Sequence, residues 1–192
     1  VMKIAAAIWI PILVLLQAAC GTEGTQEEAS GSLTDFQVTA PQAESAEGDF
    51  IYRLATDQEQ YIEGEKVAVY AELEYTGKLE SIEISHAASP FYFPLHEETR
   101  DYSVEYAMNE PLLTTVLVKG EPLQERYSGS GGYSAENDDA YIAFVQNIMD
   151  NQFPSGYYKV AGYADFAAIN ADGSSTPHEI NAQIDFKVVP KN

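Results

Sequence analysis

Between positions 86 and 98 the chain gathers its densest set of reactive side chains: His86, then Phe91, Tyr92 and Phe93 between Pro90 and Pro94, then His96, Glu97 and Glu98. Imidazole and carboxylate are groups that zinc accepts. The ten-residue interval between the two histidines corresponds to no established zinc pattern, however, so they are expected to be ordinary loop histidines, with no metal bound. The aromatic trio suggests recognition rather than catalysis. Rings held between two prolines can present apolar surface to a partner, and His86, Phe91, Tyr92, Phe93, His96 and Glu97 together make the candidate binding loop. The competing reading of the same rings is an aromatic crossover that covers the edge of a folded sheet.

Two other clusters invite chemistry. Glu136, Asn137, Asp138 and Asp139 concentrate oxygen ligands suited to calcium, but they lack the alternating spacing of a calcium-binding loop, and a carboxylate before an apolar helical stripe reads as a helix cap. Ser128, Gly129, Ser130, Gly131 and Gly132 read as a flexible loop, because no Gly-x-Ser-x-Gly elbow is present to raise a nucleophile. No phosphate loop and no dinucleotide fingerprint occur. The expectation is a protein that is not an enzyme and takes no cofactor.

Cys20 is the only cysteine. It follows an apolar run at residues 4–16, interrupted only by Pro11, and the small pair Ala18 and Ala19. Thirteen residues are too few to cross a bilayer core of ~30 Å as a helix, which takes about twenty, so a cleaved signal is expected over residues 1–19. Ala18, Ala19, Cys20 and Gly21 resemble the lipobox of bacterial lipoproteins, with Gln17 standing where that pattern usually has an apolar residue. The resemblance implies a diacylglyceryl thioether on Cys20 and a place on the extracytoplasmic side of the cell membrane. Two acyl chains would hold the protein there stably, at about 0.8 kcal/mol per buried methylene.

Charge narrows the partners. The chain has 10 basic and 30 acidic side chains. Cleavage before Cys20 would remove only Lys3 among them and leave 9 − 30 = −21. Nucleic acid is excluded as a partner, because the basic residues are scattered singly and phosphate binding needs them clustered. The same charge repels anionic lipid, so the anchor and not the surface would make the membrane contact. The remaining partner class is a protein or another envelope component.

The elements that must position these residues are mostly strands. Residues 20–49 are rich in Gly, Ser, Thr, Ala, Gln and Glu and read as a flexible acidic tether, within which Leu33, Phe36 and Val38 form a small apolar island able to dock as an edge strand. Residues 50–192 then form one domain. Phe50, Tyr52 and Leu54 share one face, as do Val67, Val69, Ala71, Leu73 and Tyr75. Further strands are predicted at residues 79–85, 102–106, 113–118, 123–127, 157–166 and 180–189. In the last, Ile180, Ala182, Ile184, Phe186 and Val188 alternate with outward Asn181, Gln183, Asp185 and Lys187. One helix is predicted from Asp138 or Asp139 through Met149, since Tyr141, Phe144, Val145 and Ile148 recur at helical spacing.

Pro154, Gly156 and Tyr158 are spaced like the tyrosine corner of immunoglobulin-like sandwiches. Tyr61, Gly64, Glu65 and Val67 are similar to the opening of many secreted bacterial domains of that type. The resemblance implies an all-β, immunoglobulin-like antiparallel sandwich with one inserted short helix, in which Gly156 permits a sharp turn into the strand and the Tyr158 hydroxyl bonds back to the preceding loop. The resemblance says little about function; the leading expectation, set beside it, is a binding or interaction module for a protein or envelope component. The Pro-Gly-x-Tyr segment alone is similar to the bacterial intracellular proteinase inhibitors, which gives an alternative function, and a structural spacer is a third.

Overall fold

The computed structural model describes residues 32–191. Among them the chain runs through β1 (Gln42–Glu47), β2 (Phe50–Thr56), β3 (Gln60–Ile62), β4 (Val69–Tyr75), β5 (Ser81–His86), β6 (Phe91–Tyr92), β7 (Leu95–Glu97), β8 (Tyr102–Val104), β9 (Leu113–Val118), β10 (Leu123–Arg126), α1 (Asp139–Met149), β11 (Gly156–Ile169) and β12 (Ser175–Val189). Cys20 and the expected signal at residues 1–19 lie outside the described residues.

The strands make two sheets. One has the order β1-β2-β4-β10; the other has the order β3-β12-β11-β5-β9, with β6 and β7 also beside β11 and β8 paired to β7. Pairing is antiparallel except between β3 and the end of β12, where Gln60, Tyr61 and Ile62 run parallel to Lys187, Val188 and Val189. The fold is therefore all-β with one short helix, and the two sheets stack as a sandwich around a shared core.

β11 is the spine of the larger sheet. Its whole length pairs with β12. On its other side β7 covers Tyr158 to Val160, β6 covers Tyr163 and Ala164, and β5 covers Ala167 and Ala168. Strict alternation sends Tyr158, Val160, Gly162, Ala164, Phe166 and Ala168 inward, and Tyr157, Lys159, Ala161, Tyr163, Asp165 and Ala167 outward. Gly162 is required by the inter-sheet approach. A Cβ there would come within 2.7 Å of the Tyr52 hydroxyl and 2.9 Å of Leu54 Cδ2 on the facing sheet.

The helix packs as its periodicity predicts, burying Phe144, Val145 and Ile148, while the Asp138 carboxylate accepts a 2.7 Å hydrogen bond from the Tyr141 N–H at its start. The negative group thus caps the positive end of the helix. The tether is different. Composition assigns residues 20–49 to a flexible segment, but from Ser32 onward it docks on the sandwich. Leu33–Asp35 form a 3-10 turn, Phe36 stacks on Tyr157, and all six residues of β1 pair with β2. The apolar island contributes through Phe36, while β1 adds backbone pairing to β2, contacts of Glu44 and Glu47 with Arg53 and His178, and Ala43 packed against the core.

Candidate functional site

The outer face of β11 carries two tyrosines six residues apart, Tyr157 and Tyr163. At strand spacing they stand about 20 Å apart. Around Tyr157 the chain closes over itself. Its ring is stacked on Phe36 at 4.8 Å and 14°, and its hydroxyl donates a 2.5 Å hydrogen bond to Asp185. The Asp185 carboxylate also accepts bonds from the Ala40 N–H at 2.7 Å and from both the N–H and the hydroxyl of Thr39. Alternation puts Asp185 on the outer face as expected, but the docked arm buries it. Burial favours the neutral acid, and the bonds from Tyr157, Ala40 and Thr39 together outweigh it, holding the carboxyl below its ordinary range. Burial, and next the bond to Asp185, push the Tyr157 hydroxyl well above the usual tyrosine range.

A second carboxylate fixes the same end from below. Glu97 is fully buried and accepts from the N–H and hydroxyl of Thr99, the N–H and guanidinium of Arg100, and the Tyr157 N–H. This accounts for Gly156 differently from the sequence reading. Its φ does not lie in the left-handed region. A Cβ on it would sit 2.5 Å from the Glu97 carboxylate, so the missing side chain makes room for a buried charge. Next to it Tyr158 is buried and donates a 2.7 Å bond to the Pro154 carbonyl.

The candidate binding loop is therefore divided by the sheet. Phe91, Phe93 and Glu97 are buried and cannot meet a partner: β6 and β7 send Phe91 and Glu97 inward, and Phe93 between them packs against Tyr106 and Tyr127. His86 is engaged at both ring nitrogens, by the Ala87 carbonyl at 2.9 Å and the Thr115 hydroxyl at 2.8 Å. His96 Nδ1 bonds the Ser103 hydroxyl at 2.9 Å, and its Nε2 lies 3.4 Å from Asp101. The two histidines stand on β5 and β7, and no group of three or more His, Cys, Asp or Glu able to hold a metal ion occurs among the described residues.

Tyr92 is the loop residue that turns outward to meet another ring. It is the cross-strand partner of Tyr163, and the two rings stack at 4.7 Å and 5°. Tyr106 adds its ring edge-on to Tyr92 at 6.2 Å. The other side of Tyr163 borders β12, where Asn181 is its register partner; two pairs along, on the same outer face, Asp165 lies opposite Glu179. Burial, and then the negative charges of Glu179 and Glu110, raise the Asp165 carboxyl above its ordinary value. Burial and then Tyr92, Asp165, Glu179 and Glu105 raise the Tyr163 hydroxyl. The result is a partly exposed aromatic platform in a field of carboxylates.

Elsewhere on the sandwich some acids are paired with cations, while others, such as Glu83 and Glu121, are not. Arg53 holds Glu44 at 2.6 Å and Glu74 at 2.7 Å, Lys159 holds Glu98, and Arg100 holds Glu97. Among the described residues no such ion pair joins Asp165, Glu179, Glu105 or Glu110. The sequence reading missed Tyr163, Tyr106 and Asp165. The available signal was an outward aromatic in a strand whose inward positions were already apolar. Comparison of the chain with protein-family models, with curated proteins and with solved structures finds no match.

Proposed function

We propose that this is a lipid-anchored extracytoplasmic lipoprotein, tethered through Cys20, whose sandwich is of the immunoglobulin-like type and serves as a docking module for a protein or envelope component. The immunoglobulin-like assignment is supported by the two stacked, mostly antiparallel sheets and by the Tyr158 to Pro154 bond before β11. The docking role rests on one observation above all, the stacked, partly exposed rings of Tyr92 on β6 and Tyr163 on the central strand β11. Aromatic side chains on a preformed surface supply contact area at low entropic cost, which is how binding surfaces concentrate their energy.

Two experiments test the two parts. Cys20→Ala should shift the chain from the membrane fraction to a soluble or uncleaved form; unchanged fractionation and mass would remove the anchor. Crosslinking in whole cells should then yield a partner with the wild-type chain that is lost with the Tyr92→Ala/Tyr163→Ala double variant. A crosslinking pattern identical in both would remove the docking face.

A further inference from the structure

We infer that the Tyr92 and Tyr163 platform is a receptor for cationic side chains, and that its occupant is a basic, arginine- or lysine-bearing segment of a partner polypeptide. This rests on reading the platform as a docking face, and it adds the chemistry of what docks. The first support is geometric. One face of the Tyr163 ring is taken by Tyr92. The other borders exposed Asn181 on β12, and the Asp165 and Glu179 pair lies one step along the same outer face. A guanidinium entering beside Asn181, whose amide donates a 3.3 Å bond to Glu179, would meet the π-system of the Tyr163 ring and have two carboxylates within reach of its donors.

The second support is electrostatic. Many acids of this chain have no cation, but here Asp165, Glu179, Glu105 and Glu110 lie together around one ring pair, and none of them has an ion-pair partner among the described residues. The nearest lysine along the outer face of β11, Lys159, is occupied by Glu98. Repulsion among Asp165, Glu179 and Glu110 is already felt by the Asp165 carboxyl. A guest cation relieves that repulsion, an anion compounds it, and a neutral guest leaves it in place. A net charge of −20 steers the same class of partner from a distance.

The test is calorimetric titration of the full chain in detergent micelles with hexa-arginine, hexa-lysine, hexa-glutamate and neutral maltohexaose. Hexa-arginine should bind tightest, hexa-lysine more weakly because it lacks a planar face to stack, and the last two not at all. Tyr163→Leu keeps an apolar side chain that fits a strand and should weaken hexa-arginine about tenfold, whereas Tyr163→Phe should retain most of the affinity because the ring remains. Asp165→Asn should cost about fivefold. Glu136→Gln, the same change in charge far along the chain, should cost less than about twofold. Equal losses for Asp165→Asn and Glu136→Gln would mean attraction to overall charge and would overturn the site, as would binding of maltohexaose in place of hexa-arginine. If hexa-arginine binds through Tyr163 while whole-cell crosslinking shows no platform-dependent partner, the cation chemistry stands and the proposed docking role falls. If crosslinking depends on the platform while hexa-arginine does not bind, the docking role stands and the cation chemistry falls.

Discussion

Tyr157 and Tyr163 leave the same face of the same strand, yet one is sealed and the other is open. At the Tyr157 end the chain supplies every partner from within: Phe36 for the ring, Asp185 for the hydroxyl and Glu97 for the backbone N–H. At the Tyr163 end it supplies a second tyrosine and a set of acids without cations. The difference shows how one alternating strand can serve two purposes. Where buried carboxylates are fully hydrogen-bonded they fix segments distant in sequence to one another; where carboxylates stand beside an exposed ring without a counter-charge, they leave room for a partner from outside.

The largest effect expected from breaking this contrast is at Glu97. Glu97→Ala strips a buried acceptor from five donors, one of them the Arg100 guanidinium, and should cost about 3–5 kcal/mol in urea denaturation. A loss below about 1 kcal/mol would show that this end is not held by its buried charges. Asp185→Ala comes next, at about 2–3 kcal/mol, with amide exchange of Thr39 and Ala40 rising because their N–H groups lose their acceptor. Exchange unchanged at those two residues would show that the arm is held by something else. Phe36→Ala removes the stacked ring from Tyr157 and should cost about 1 kcal/mol, read in the same denaturation curves. Smallest is Tyr163→Leu, within about 0.5 kcal/mol of wild type, because its ring is partly exposed and its loss is felt in binding. A large loss of stability there would collapse the contrast.

The two ends should also titrate in opposite senses. The folded pKa of Asp185 is depressed, so its contribution is complete above the ordinary carboxylate value of about 4 and fades as pH falls through the lower folded value. Asp165 is raised, so its ionisation costs stability as pH rises above the ordinary value, and protonation on acidification relieves the strain. Carboxyl carbon titration by NMR should put the Asp165 midpoint above the ordinary value and the Asp185 midpoint below it. Coincident midpoints would mean that the environments do not differ.

Much of this fold was legible beforehand wherever side chains alternated or recurred strongly. The expected alternation at 180–189 lies inside β12, and Phe144, Val145 and Ile148 face the core from a helix that starts at the Asp138 cap. The short strands were not legible. β1, β3, β6 and β7 span two to six residues, too few for alternation to show, although β3, β6 and β7 bury Tyr61, Phe91 and Leu95 in the core. The aromatic loop was found, but its facing was not, since Phe91 and Phe93 differ from Tyr92 only in which side of a two-residue alternation the sheet makes inner.

The sequence by itself determined the β-rich character, the helix with its cap, the acidity and the position of the single thiol, because each depends on local pattern or composition. Tertiary structure decided which tyrosine is covered. Phe36 and Tyr157 lie about 120 residues apart, and Thr39 and Asp185 meet at 3.0 Å across 146 positions; contacts of that range are set by how strands pair, which periodicity alone does not encode.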